Sequence, residues 1–140
     1  MNFFKNIRTF NGGIHPHEEK QITKDLPLET MPDPEMIVLP TVQHIGRPAK
    51  IIAEKGKIVS AGEVIAEADG YISSPVLSSV SGKVEKIGLN STVSGFQKEC
   101  IFISKSDNGE IRKFEPINPE IASPEELRNR IKLAGIVGQG

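Results

Sequence analysis

The sequence predicts a mainly β fold of short strands, with an extended N-terminal arm and a C-terminal helix. Three observations carry this. Through residues 41–115, short apolar stretches rich in Ile and Val recur between glycines, most of them four to six residues long. That length and punctuation suit strands rather than helices. Pro16, Pro27, Pro32, Pro34 and Pro40 crowd the first forty residues; each removes a backbone donor and biases its predecessor toward extended conformations. Finally, Ser123-Pro124-Glu125-Glu126 has the chemistry of a helix start.

Taken in order, residues 1–40 read as an arm with one short strand at Met36–Leu39. Its Ile, Leu and Met residues between Pro27 and Pro40 suit docking onto a folded body. The body, residues 41–115, offers strands at Ala49–Ala53, Lys57–Val59, Val64–Glu67, Lys83–Ile87, Glu99–Ser104 and Ile111–Phe114. In the fourth, Val84 faces the core and Lys83 and Glu85 face water, but Lys86-Ile87 breaks the alternation. Asp107-Asn108-Gly109 predicts a hairpin between the last two, because Asn and Gly tolerate positive φ. Residues 116–140 begin with Pro116 and Pro119 as a linker. A helix is expected over Pro124–Ala134, with Ser123 as cap, Pro124 in the first turn and Glu126 completing a capping box. Leu127, Ile131 and Ala134 follow at helical spacing, and Gly135 suits the C-terminal cap.

Composition narrows the function classes. The 140 residues suffice for one ordinary domain. Seventeen basic and eighteen acidic residues leave a net charge of −1, and aromatics make up only 5%, so neither a basic field nor a base-stacking surface for nucleic acid is expected. The only cysteine, Cys100, can form no internal disulfide and cannot alone hold an iron–sulfur cluster or zinc. Followed by Ile101 and Phe102, it reads as a small buried hydrophobe. No apolar run approaches the roughly 18 residues of a bilayer span. Met1–Phe10 carries Lys5 and Arg8 without the apolar centre of a secretory signal. The expectation is a cytoplasmic chain with no direct membrane insertion, peripheral to the membrane only through partner subunits.

The most informative stretch is Gly56-Lys-Ile-Val-Ser-Ala-Gly62-Glu-Val-Ile-Ala-Glu67. Two glycines bracket a short strand and allow sharp corners; Val59, Val64 and Ile65 supply buried positions. Ser81-Gly82-Lys83-Val84 repeats the step, so Lys50–Glu67 and Pro75–Leu89 are weakly self-similar. The pattern resembles the biotinyl/lipoyl-type barrel-sandwich hybrid, in which two similar halves pack face to face. A biotinyl or lipoyl carrier is one alternative function, and it needs a lysine at the tip of the hairpin joining the halves. That hairpin should lie near Ala68–Pro75, and no lysine occurs between Lys57 and Lys83. A carrier therefore lacks its attachment point.

His15, His17 and His44 are the only histidines. His15 and His17 have a spacing that could hold a metal in an extended segment, but few carboxylates stand near them, so no metal site is expected. His44, in Gln43-His44-Ile45-Gly46, raises a second alternative, a phosphohistidine sugar-phosphotransferase component. Neither a second histidine nor an anion-binding nest accompanies it clearly. No catalytic residue is expected: there is no Ser-His-Asp order, HExxH or Walker motif.

Several segments, in order, resemble the RnfC component of the Rnf-type electron transport complex, an ion-translocating ferredoxin:NAD+ oxidoreductase. Gly12-Gly13-Ile14-His15-Pro16, with Lys20 after it, resembles the family's start. Pro40-Thr41-Val42-Gln43-His44-Ile45-Gly46 resembles its Pro-x-x-Gln-His-Ile-Gly signature. Gly56–Glu67 and Ser81–Val84 match its Gly-x-x-Val-x-x-Gly-x-x-Ile-Ala and Ser-Gly-x-Val steps. Ala134-Gly135-Ile136-Val137-Gly138 matches the lead into its glycine-rich loop. The resemblance covers nearly the whole chain.

What the resemblance implies is a non-catalytic structural and docking domain, partnered by the other subunits of a membrane complex. The full family binds FMN and NADH and holds two 4Fe–4S clusters in later domains; no cofactor is expected on this chain. Gly138 and Gly140 would begin the FMN/NADH loop, incomplete here, with Gln139 where the family has an apolar residue. A fragment of a longer protein is expected rather than a stand-alone module. The expected contact surface is the arm together with the turn of Gln43, His44 and Gly46, which Gly46 and Pro48 would hold in shape.

Overall fold

The computed structural model describes residues 18–32 and 34–138. Contacts divide the chain into two units, Met1–Pro32 and Asp33–Gly140. The described part of the first holds one 3-10 turn, Glu19–Ile22, with no buried residue and a Lys20–Glu18 ion pair of 3.0 Å. His15 and His17 lie outside the described residues.

The second unit is mainly β. Its strands are β1 (Met36–Pro40), β2 (Lys50–Ile51), β3 (Ile58–Val59), β4 (Val64–Glu67), β5 (Val76–Leu77), β6 (Gly82–Ser91) and β7 (Gln97–Lys105), followed by helix α1 (Pro124–Leu133). They form a four-stranded sheet in the order β1-β7-β6-β3 and a three-stranded sheet β2-β4-β5, all antiparallel. Both sheets contribute to one core, in which Val59, Ile65, Val84, Ile101 and Ile103 are at most 1% exposed. Burying each such side chain contributes about 1.5–3 kcal/mol.

Local chemistry explains the corners. Gly56 and Gly62 adopt φ of +88° and +84°, the left-handed region that suits glycine. Each donates its N–H across the fold, Gly56 to the Val84 carbonyl and Gly62 to the Ser78 carbonyl, both at 2.7 Å. The broken alternation at Lys86 is a β-bulge: the ladder with β7 shifts between Val84 and Lys86. The extra residue lets Val84 stay in the core while Lys86 turns to the outer face, over the Phe102 ring at 4.2 Å.

Three expectations change. β6 runs on to Ser91, well past Ile87, because its ladder with β7 continues to the Ser91–Gln97 pair. Val76–Leu77 is a strand that the sequence pattern did not predict. The hairpin at Asp107-Asn108-Gly109 and the strand Ile111–Phe114 do not form. β7 already has β1 on one side and β6 on the other, so no edge is left for a following strand. Gly109 lacks a positive φ, and residues 106–112 instead close over the loops below. Ser106 donates to the Ser81 carbonyl at 2.8 Å and Arg112 to the Ala61 carbonyl at 2.7 Å, and Ile111 forms a single parallel bridge with Ala61.

The strand expected at Met36–Leu39 includes Pro40 and forms the edge of the larger sheet. Thr41 and Glu35 bond to β7 through their main chains, so odd-numbered residues face β7 and even-numbered ones the open side. The N–H that Pro40 lacks would point away from the ladder, which is where sheets tolerate proline.

Helix α1 has the anticipated start. Ser123 accepts from the Glu126 N–H at 3.2 Å and Glu126 from the Ser123 N–H at 2.7 Å. Gly135 takes φ +68° after it. The helix buries no residue; Arg130 ties it down by donating to the Glu115 carbonyl and stacking 5.5 Å from the Phe114 ring.

Candidate functional site

Residues 42–48 leave the sheet as a loop pinched at its base. Thr41 and Ala49 are both buried, and the Ala49 N–H donates to the Thr41 carbonyl at 2.8 Å. Thr41 Oγ1 also donates to the Glu99 carbonyl, at 3.1 Å.

The loop is stapled to the β4–β5 hairpin. Arg47 donates its N–H to the Ile72 carbonyl at 2.9 Å, and its side chain pairs with Asp69 at 3.1 Å. Ser73 Oγ donates to the Arg47 carbonyl at 3.0 Å and accepts from the Asp69 N–H at 2.9 Å. Gly46 sits at φ +128°, and a Cβ there would strike the Ile72 carbonyl. Only glycine lets the loop approach this closely.

His44 is the central staple. Its Nε2 lies 3.0 Å from the N–H of Ser74, a buried residue. A backbone N–H can only donate, so Nε2 is the unprotonated nitrogen. Nδ1 therefore carries the proton and donates to the Ile45 carbonyl at 2.8 Å. Neither ring nitrogen has a free lone pair to attack phosphorus. Gln43 is exposed and donates back to the Pro40 carbonyl at 3.3 Å. The structure thus brings Gln43, His44 and Gly46 into one loop with His44 turned inward, and the side chain presented outward is Ile45, 89% exposed.

The loop forms one wall of an open groove of about 1420 Å³ on the outer face of the larger sheet. Ile37 and Leu39 pack on the core, so Val38 and Pro40 point the other way and floor the groove with Cys100. Tyr71 and Ile72 on the β4–β5 hairpin extend the first wall, and Val93 and Phe96 at the β6–β7 turn form the second. Tyr71 and Val93 are fully exposed, and Ile72 and Phe96 largely so. Exposed apolar side chains gathered around a concavity mark an interaction surface more often than scattered ones do. Sequence reasoning missed this groove; its signal was the apolar Tyr71-Ile72 and Val93/Phe96 pairs inside otherwise polar turns.

Cys100 is fully buried and its thiol donates to the Lys98 carbonyl at 3.3 Å; burial pushes the thiol pKa up. Glu63 has a structural part: one oxygen pairs with Lys57 at 2.8 Å and the other accepts from the Ser60 N–H at 3.0 Å. The hydrogen bond from Lys57 chiefly holds the carboxyl below its ordinary value. Gly138 is exposed with open space around its Cα; Gly140 lies outside the described residues. Among the described residues no group of three or more His, Cys, Asp or Glu is placed to hold a metal, and no helix is long and apolar enough to cross a membrane.

Residues 8–108 match the family model described as the RnfC barrel sandwich hybrid domain. The chain is 36% identical over 137 residues to the C subunit of the proton-translocating ferredoxin:NAD(+) oxidoreductase complex of Clostridium ljungdahlii, covering 96% of this chain and 30% of that protein. It is 36% identical over 142 residues to the C subunit of the ion-translocating oxidoreductase complex of Rhodobacter capsulatus, covering 98% and 27%. Against the C subunit of the Na(+)-translocating ferredoxin:NAD(+) oxidoreductase complex of Acetobacterium woodii, identity is 35% over 140 residues, covering 94% and 30%. The chain spans less than a third of the length of these curated relatives.

Proposed function

The chain belongs to the RnfC barrel-sandwich-hybrid family, and from that premise we propose that it is a docking domain of the RnfC component in a membrane-associated ferredoxin:NAD+ oxidoreductase that couples electron transfer to ion transport. The observation that carries the docking role is the groove walled by Ile45, Tyr71, Ile72, Val93 and Phe96. Its partners would be other subunits of the complex, holding the domain at the cytoplasmic face of the membrane. Gln43, His44 and Gly46 form the interaction turn, with His44 and Gly46 shaping it and Ile45 making contact.

On this reading redox work lies in other parts of the complex. An iron–sulfur cluster takes several thiolates, and the single cysteine is buried, so the residues present do not fit a cluster. Gly138 and Gly140 resemble the first residues of an FMN/NADH loop. The β4–β5 hairpin has no lysine for biotin or lipoate, and both His44 nitrogens are engaged, which disfavours the carrier and phosphotransfer alternatives.

The test is binding of the tagged 140-residue chain to membrane vesicles bearing the remaining subunits of such a complex. Saturable binding, absent from vesicles lacking the complex, is expected. Equal binding to both kinds of vesicle, or to neither, would remove this function.

A further inference from the structure

β1 is an edge of the four-stranded sheet. The register sets which of its groups are free. Glu35 accepts from the Lys105 N–H at 2.8 Å and Thr41 donates to the Glu99 carbonyl at 3.0 Å. By strand alternation, Ile37 and Leu39 also turn their main chain toward β7, and Met36 and Val38 turn theirs outward. Among the described residues, no hydrogen bond is made by the outward N–H and C=O groups of Met36 and Val38. Sheets ordinarily blunt such an edge with a bulge, charges, a proline or a covering segment, and here the one proline, Pro40, stands at the far end of β1 beyond Met36 and Val38. The β1–β7 register is regular, and Met36–Pro40 contains no charged residue.

The open edge and the groove are continuous. Val38 turns its backbone to the edge and its side chain to the groove floor. Among the described residues, Lys98 is the sole charged one lining that groove, and no carboxylate does so. The Lys98 ammonium lies 6.0 Å from the Phe96 ring centroid. A matching occupant offers backbone hydrogen bonds along one side, apolar side chains at alternate positions, and a carboxylate for Lys98.

We propose that an extended segment of a partner polypeptide adds to β1 as a fifth strand of this sheet. It pairs with Met36 and Val38 and lays apolar side chains, with one acidic residue, into the groove. This is strand addition, where main-chain bonds supply affinity and alternate side chains supply specificity. The proposal rests on the docking function above and names the partner's conformation and chemistry.

Val38→Pro tests it in the same vesicle assay. The substitution deletes an outward N–H and leaves the bonds to β7 intact, as edge positions allow. Binding is expected to weaken at least about tenfold, with the melting profile of the free chain preserved. Lys98→Glu should weaken it as well, without touching β1. In the wild-type chain, the Met36 and Val38 amides should exchange rapidly with deuterium when free and become protected on the vesicles. Wild-type binding with no protection at these amides overturns strand addition and leaves the docking function standing. A dimer of the free chain that Val38→Pro abolishes also overturns it, since a second copy then takes the edge. No wild-type binding removes both.

Discussion

Replacing His44 by alanine separates a shaping role from a contact role. The substitution leaves the Ser74 N–H, on a residue only 6% exposed, without its acceptor at 3.0 Å. An unsatisfied buried donor costs about 1–3 kcal/mol. The Nδ1–H bond to the Ile45 carbonyl at 2.8 Å is lost too, at about 0.5–1 kcal/mol for a partly exposed bond. Together these give about 1.5–4 kcal/mol. For a chain of this size that lowers the melting temperature by about 5–14 °C. Urea unfolding of the isolated chain reads the loss directly, since no partner is present, and the denaturant slope should not change. A loss below about 0.5 kcal/mol would refute the staple and with it the tautomer assigned to His44.

Four other perturbations follow from the same structure. Gly62→Ala forces a side chain into φ +84° and against the Arg112 carbonyl, whereas Gly56→Ala meets only the backbone cost at φ +88° with open space around it. The first should destabilise by about 2 kcal/mol or more and the second by about 1 kcal/mol, and equal losses in urea titrations would discredit the close approach. Glu63 has a folded pKa below its ordinary 4.5, so its contribution is present above that value and disappears as pH falls through the lowered folded pKa. The stability gap between wild type and Glu63→Gln should therefore close on acidification, and a gap that widens as pH falls contradicts the Lys57 pairing. Ser123→Ala should cost about 1 kcal/mol and act locally, because α1 buries no residue. Amide exchange in α1 should speed up about fivefold while that of β6 and β7 holds. Val38→Pro should impair partner binding while sparing stability, as set out above.

The sequence by itself determined what depends on neighbours a few residues apart. The capping box of α1 lies within Ser123–Glu126, and the corners at Gly56 and Gly62 are properties of single residues. The lack of a hairpin lysine and the solitary Cys100 are matters of inventory, legible without any structure. The ordered motifs from Gly12 to Gly138 were enough to identify the family.

Tertiary structure decided whatever depends on which edge is already taken. Ile111–Phe114 has strand composition, but β7 is flanked by β1 and β6, and no local rule reveals that occupancy. The inward turn of His44 depends on Ser74, thirty residues away, and the groove on residues from β1, β6, β7 and three separate turns, together with Val137 and Gly138 after α1. The open backbone of Met36 and Val38 has the same origin. An edge is a property of the finished sheet, because a strand cannot record in its own residues which of its two sides will be paired.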